Sequence, residues 1–347
     1  LSGTPLAFAL ATLVPGVAIA LGAVLGGWWA VLALILMTAA VAAIDRLAPL
    51  AEAGVPGAEF PAAPRLMAVL GALHLALIPL TVWAVAGDSG LSGGARVALF
   101  LAAGFYLGQV GHANAHELIH RGERRLFALG AAVYTALLFG HHTSAHRHVH
   151  HRFVATPDDP NTAAAGEGFW SWAPRAWAGS FRAGAAMETA LRRRAPPGKR
   201  PLHPYVVWVG GGSAALLAVL WLFGAAGLAV YLALCLHAQM QILLSDYVQH
   251  YGLERRTLPG GRIEPVGPAH AWEARAAGSG AMLLHAGRHA DHHAHPGRAF
   301  PDLVHDRAAP RLPFGMPAMG AIALIPPLWR RLMDPRLARL RRRVAGD

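Results

Sequence analysis

The chain has 347 residues, 54% of them hydrophobic and only 14% charged, with a formal net charge of +11. That balance is too apolar and too poor in charge for an ordinary soluble domain of this length. Nucleic acid is not expected as a partner either: 27 of the 30 Lys and Arg fall in 116–204 and 247–347, a segregation that fits membrane topology better than a DNA-binding surface.

Six apolar runs reach or approach the roughly 20 residues a helix needs to cross a bilayer. They are 5–24, 28–44, 66–86, 95–115, 205–223 and 225–246. The first has no basic stretch before it and is followed at once by the second, so it reads as a spanning helix rather than a cleaved leader. The expected fold is an all-α integral membrane protein with six transmembrane helices and a cytoplasmic, histidine-rich cap. Helices 1–4 occupy 1–115 and are joined midway by AEAGVPGAEFPAAPR. Residues 116–204 form a cytoplasmic segment whose end, AAMETALRRRAPPGKRPLHP, is basic and stops any helix at its prolines. Helices 5–6 occupy 205–246, and 247–347 form the cap. The three cations outside the basic segments are Arg46, Arg65 and Arg96. The basic segments should face the cytoplasm, and the short connections near 25–27, 88–94 and 224 should face away. Cys235 is the one cysteine, which excludes a four-cysteine iron–sulfur centre within these residues. Electrons for any redox chemistry would have to come from another protein.

Four histidine sets border the basic segments. His116 and His120 stand in HELIH, and His146, His150 and His151 in HRHVHH. His250 stands alone in DYVQHYG, and His289, His292 and His293 fall in HADHH. Residues four apart share a helix face, so His116 with His120, and His146 with His150, are placed to reach a common ion. The adjacent His151 or His293 extends the reach to a second ion. Nine imidazoles exceed what one ion binds, and neutral imidazole suits iron, zinc, copper or nickel rather than calcium or magnesium. Two ions sharing nine nitrogens is the economical expectation. Glu117, Asp158, Asp159, Asp246 and Asp291 lie beside the sets as acceptors for the outer N–H of a ligating ring. A solitary His such as His74 or His237 more often packs or hydrogen-bonds, and the spaced sets do not need His112, His141, His142, His148, His203, His270, His285, His295 or His305. HELIH also fits the H-E-x-x-H pattern of zinc hydrolases, with Glu117 as general base. That reading needs one ion and one further ligand, and strands most of the other histidines.

The stretches AHELIHR, AHRHVHHRFVATPDDP, DYVQHYGLERR with the later GPAHAW, GRHADHHAHPGRAFPDL and ALIPPLWRRLMDPR carry a resemblance. Over residues 100–340 the chain resembles the integral-membrane di-iron alkane 1-monooxygenases, whose superfamily includes xylene monooxygenases and fatty-acid desaturases. The resemblance implies six transmembrane helices with a cytoplasmic cap. It also implies a nine-histidine ligand set, at His116, His120, His146, His150, His151, His250, His289, His292 and His293. The alkane enzymes typically carry Glu before the first His of the second set and before the lone His; here Ala145 and Gln249 stand there. By the same resemblance, two non-haem Fe ions with O2 as co-substrate would hydroxylate the terminal methyl of an alkane-like hydrophobic molecule. Electrons would come from a rubredoxin or ferredoxin with its reductase, docking on Arg-rich surface. The location implied is a bacterial-type inner membrane, multi-pass, with the site on the cytoplasmic side. A methyl-aromatic (xylene-type) hydroxylase and a fatty-acid desaturase are the alternatives inside the superfamily. Outside it stand the zinc protease and a non-catalytic metal-binding or transport protein.

Overall fold

The computed structural model describes residues 4–48, 60–196 and 202–345. Most of the joining segment at 51–65, and residues 197–201 of the basic connector, lie outside the described residues. Among the described residues there is no β-strand, only isolated bridges between Thr257 and Ile263 and between Glu273 and Arg311. Also among the described residues, five helices are long and apolar enough to cross a membrane: α1 (Pro5–Leu25), α2 (Trp28–Leu47), α3 (Ala63–Ala86), α4 (Gly93–Ile119) and α8 (Pro204–His250). Between the last two lie α5 (Arg124–Ala136), α6 (142–153) and α7 (Phe169–Arg193). The cap follows with α9 (Ala277–Met282), α10 (His289–Ala294), α11 (Met316–Ala323) and α12 (Pro326–Ala345).

The count is five where six were expected, and the difference lies in α8, which merges the runs at 205–223 and 225–246. A straight helix of its 47 residues would be about 70 Å long, over twice the hydrocarbon thickness. It is not regular throughout: Gly224 has φ 64°, the left-handed region in which glycine is unstrained. The break therefore falls where the sequence placed a turn.

Lipid cannot hydrogen-bond exposed backbone, so helix ends need partners from the chain itself. Thr4 Oγ1 accepts from the Ala7 N–H at 3.2 Å and Ser92 Oγ from the Ala95 N–H at 3.3 Å, capping α1 and α4. Arg96 donates to the carbonyls of Val85, Gly87 and Leu91 at 2.6, 2.9 and 3.1 Å. Its charge thus closes the C-terminal end of α3, where the helix dipole favours a cation.

The bundle gathers alternate helix ends on one side. Phe8 at the start of α1 and Leu66 and Met67 at the start of α3 share a buried cluster with Leu118 of α4 and Leu284 and Phe300 of the cap. Asp45 near the end of α2 accepts from the backbone N–H of Ser279 at 2.8 Å. The apolar surface of the bundle faces outwards, with Trp28 70% and Trp221 84% exposed, as lipid contact requires. Inside, α4 and α8 approach almost backbone to backbone. A Cβ added at Gly108 would stand 2.6 Å from Gln241 Cβ and 2.7 Å from the Ala238 carbonyl oxygen. Small residues permit such contacts in membranes.

Gly108→Val must force these helices apart, and overpacking of this kind costs about 1–3 kcal/mol. Thermal denaturation in detergent should show a lowered Tm; an unchanged Tm would mean that this contact does not hold α4 against α8.

Candidate metal centre

The last turns of α4 and α8 bring His116, His120 and His250 to the rim of the bundle, and α6 and α10 cover them with the rest. The nine histidines form two adjacent groups whose ring nitrogens each lie within 4.8 Å of one another. One group is His116, His120, His146, His151 and His292; the other is His150, His250, His289 and His293. The rings of His151 and His293, one from each group, are centred 4.6 Å apart.

The partition corrects one expectation. His146 and His150 do not share an ion-binding group, because 146–150 is a π turn rather than an α turn. The His151 N–H bonds to the His146 carbonyl, five residues back, and the wider turn carries His151 round to the side of His146. Their Nε2 atoms are 2.9 Å apart, while His150 points into the other group. Such π bulges are frequent at functional sites. In α10 ordinary helical spacing holds: His289 and His293 approach with Nε2 atoms 3.1 Å apart. His292 turns to the first group and meets His151 Nε2 at 3.1 Å.

The ring nitrogens at the centre of each group have no satisfactory protein partners. Nε2 of His120, His150 and His250 is buried with no hydrogen-bond partner. His116 and His146 face each other Nε2 to Nε2 at 2.8 Å. A neutral imidazole has one donor and one acceptor nitrogen, so rings converging in this way cannot all be paired, whereas a cation in each group satisfies every lone pair. The residues fit metal ions. Burial also favours the neutral, ligating form of these rings. Burial first, and then the other histidines, hold His146, His289, His292 and His293 well below the usual 6.5. His120 is pushed down to about 3 by burial, then by Arg147 and Arg121.

Of the five carboxylates singled out in the sequence, Asp159 touches a ring of the cluster, whereas Asp158 beside it is exposed. His150 Nδ1 donates to Asp159 Oδ2 at 2.9 Å, leaving Nε2 for the centre of its group. Burial opposes a charge on His150, but Asp159 outweighs it and turns the shift upward. Asp246 stands one step back, accepting from Asn161 Nδ2 at 2.7 Å, while the Asn161 backbone N–H donates to Asp159. Asp291 instead pairs with Arg298 at 2.5 Å and accepts from the Val304 N–H at 2.9 Å. Glu117 pairs with Arg121 and accepts from the Phe300 N–H at 3.2 Å. Two participants went unnoticed in the sequence. One is Asn161, visible only as the end of the DDPN run. The other is the His270 carbonyl, which accepts from His250 Nδ1 at 3.0 Å and lies in GPAHAW. A cavity bounded by α4, α8 and α11 runs beside His112, whose ring is centred 6.1 Å from that of His116.

Residues 93–321 match the family model described as fatty acid desaturase. The chain is similar to alkane 1-monooxygenase 2 of Pseudomonas aeruginosa, with 30% identity over 273 residues, covering 76% of this chain and 72% of the relative. It is similar to alkane 1-monooxygenase of Pseudomonas putida, with 33% identity over 271 residues, covering 76% and 66% of the two chains. The hydroxylase component of a xylene/toluene monooxygenase from Pseudomonas putida is 29% identical over 226 residues, covering 62% and 57%. The chain thus spans about two thirds of the length of the alkane relatives.

A pH dependence follows from the burial of the rings. In the unfolded chain His120 takes up a proton below 6.5, but in the fold only near 3. Its contribution is therefore fully present above 6.5 and is lost as pH falls through that window. Metal-free protein should unfold at lower temperature at pH 5 than at pH 7.5; equal Tm values would contradict neutral, buried rings.

Proposed function

The chain belongs to the fatty acid desaturase family, in the branch of the alkane 1-monooxygenases, and from that premise we propose that it is a membrane-bound di-iron monooxygenase. Its reaction in this reading is hydroxylation of the terminal methyl of an alkane-like hydrophobic chain with O2 and externally supplied electrons. The observation that carries it is the division of nine histidines into two touching groups of buried rings. Nitrogen-rich sites of this kind suit iron, and two ions account for all nine where a single-zinc hydrolase site would not.

His116, His120, His146, His151 and His292 would hold one iron, and His150, His250, His289 and His293 the other. When bound, the irons supply the O2 activation that attack on an unactivated C–H bond requires. The rest is the work of the protein. Asp159 keeps the Nδ1 proton of His150, and the His270 carbonyl keeps that of His250, which presents Nε2 of each ring to its ion. Seven of the nine rings are buried, and His120 and His151 are partly exposed, so water is largely kept from the reacting atoms. The cavity beside His112, lined in part by Leu244, Leu283 and Met316, offers a hydrocarbon chain apolar surface next to the centre.

Topology follows the same reading. The two parts of α8 on either side of Gly224 cross separately, which makes six crossings. The excess of Lys and Arg on the histidine side puts the cap in the cytoplasm of a bacterial-type inner membrane. A rubredoxin or ferredoxin, kept reduced by its reductase, delivers electrons there. The partly exposed His120 and His151 lie beside Arg147, a suitable meeting point for an acidic carrier. The xylene/toluene relative supports a second reading, with a methyl-aromatic substrate.

Purified protein should contain about two iron ions per chain. Supplied with a surrogate reductase, it should convert octane or hexadecane to the primary alcohol, read by gas chromatography; conversion of xylene alone would favour the second reading. His292→Ala should abolish iron retention and product together, and full activity in an iron-free preparation would end the proposal. Asp159→Asn should weaken iron binding by about 10–100-fold, measured by chelator competition; undiminished affinity would show that the carboxylate does not tune the ligand.

A further inference from the structure

The cavity beside His112 carries polar groups that hydroxylation of a plain hydrocarbon does not use. Its lining includes aliphatic surface such as Leu244 and Met316, yet Gln109, His112, Gln241 and Ser245 line it too. Gln241, Ser245 and Gln249 recur every fourth residue on one face of α8, a stripe that ends beside His250. On α4, Gln109 and His112 lead to His116. The two stripes meet where Gln109 Nε2 donates to Gln241 Oε1 at 3.1 Å. Towards the membrane interior from this pair the helices close: a Cβ at Gly104 would stand 2.0 Å from His237 Nδ1. The paired amides are therefore the floor of the cavity.

That floor is incompletely satisfied. Gln109 Oε1 is buried with no hydrogen-bond partner, and the bond to Gln241 uses the acceptor of that second amide rather than its N–H groups. Ser245 Oγ donates to Gln249 Oε1 at 3.1 Å, which leaves its oxygen able to accept. An unpaired amide oxygen at this depth is unfavourable, and an aliphatic chain does nothing to relieve it. A hydroxyl does, donating to Gln109 Oε1 while accepting from the Gln241 amide.

We propose that this cavity is a binding site for an alkyl chain that carries a hydroxyl group, with Gln109 and Gln241 as its hydrogen-bond partners. The proposal rests on the hydroxylase reading and narrows its ligand class. Two sources share the chemistry. One is an alcohol substrate oxidised at its far methyl: that C–H becomes C–OH with one atom of O2, and the other atom leaves as water with two protons and two electrons from the external carrier. The other is the alcohol product itself, turned end for end so that its new hydroxyl rests on the floor before release.

The test uses the iron-loaded protein in detergent. Anaerobic equilibrium binding compares 1-octanol with octane, and turnover assays follow octane oxidation with and without 1-octanol. The alcohol should bind about tenfold more tightly than octane in the wild type, since a buried amide oxygen gains its partner. Gln109→Leu and Gln241→Leu should each bring the ratio to about one, with iron content reporting an intact fold; Gln241→Leu, within a regular helix, serves if the first variant fails to fold. Formation of the α,ω-diol assigns the substrate source, and competitive inhibition without diol assigns the product source. Equal binding of the two ligands in the wild type, or an unchanged ratio in folded variants, would overturn the proposal. Preserved alcohol binding with no octane oxidation would sink the hydroxylase reading while the site itself stood.

Discussion

Imidazoles that are buried, neutral and pointed at one another are the constraint on which this structure turns. Removing a polar ring from water is unfavourable unless each nitrogen finds a partner. Around the centre the nitrogens find mostly other nitrogens, at 2.8–3.1 Å, or nothing at all for His120, His150 and His250 Nε2. Cations resolve the conflict within each group. Metal binding would then reinforce the packing of the cap, because the rings that need the ion come from α4, α6, α8 and α10.

The membrane dictates where such a centre can stand. Backbone in hydrocarbon must be helical, so irregular structure and clustered polar side chains collect where helices end. The last turns of α4 and α8 carry His116, His120 and His250 to that boundary. There the chain can widen into the π turn at 146–150 and form the non-helical connections of the cap. Asp159 and the His270 carbonyl come from these connections, and each fixes the outer nitrogen of one ring. The apolar body of the bundle serves the hydrophobic substrate of the proposed reaction, and its helical rigidity holds the rings.

Much of this was legible in the sequence, for reasons that differ by residue. The long helices follow from apolar runs matched to a fixed bilayer thickness. HELIH and HADHH place their outer histidines on one α-helical face, and the structure keeps His116 with His120 and His289 with His293. The division of His146, His150 and His151 was not legible, because nothing in HRHVHH marks a π turn; the turn exists only where four segments pack together. Asp291 and Glu117 stand next to ligand candidates in sequence, yet their closest charged neighbours are Arg298 and Arg121. Proximity along the chain did not decide which carboxylate reaches a ring; tertiary structure chose Asp159. Arg96, one of three cations outside the basic segments, proves to be a cap for the end of α3. In α8 the two expected spans are continuous apart from Gly224, whose backbone needs no run of polar residues to turn.

Iron-edge anomalous scattering from crystals of the iron-loaded protein tests the central claim most directly. Two separate peaks are predicted, one bounded by His116, His120, His146, His151 and His292 and the other by His150, His250, His289 and His293. A single peak, or iron bound anywhere outside these rings, would contradict it.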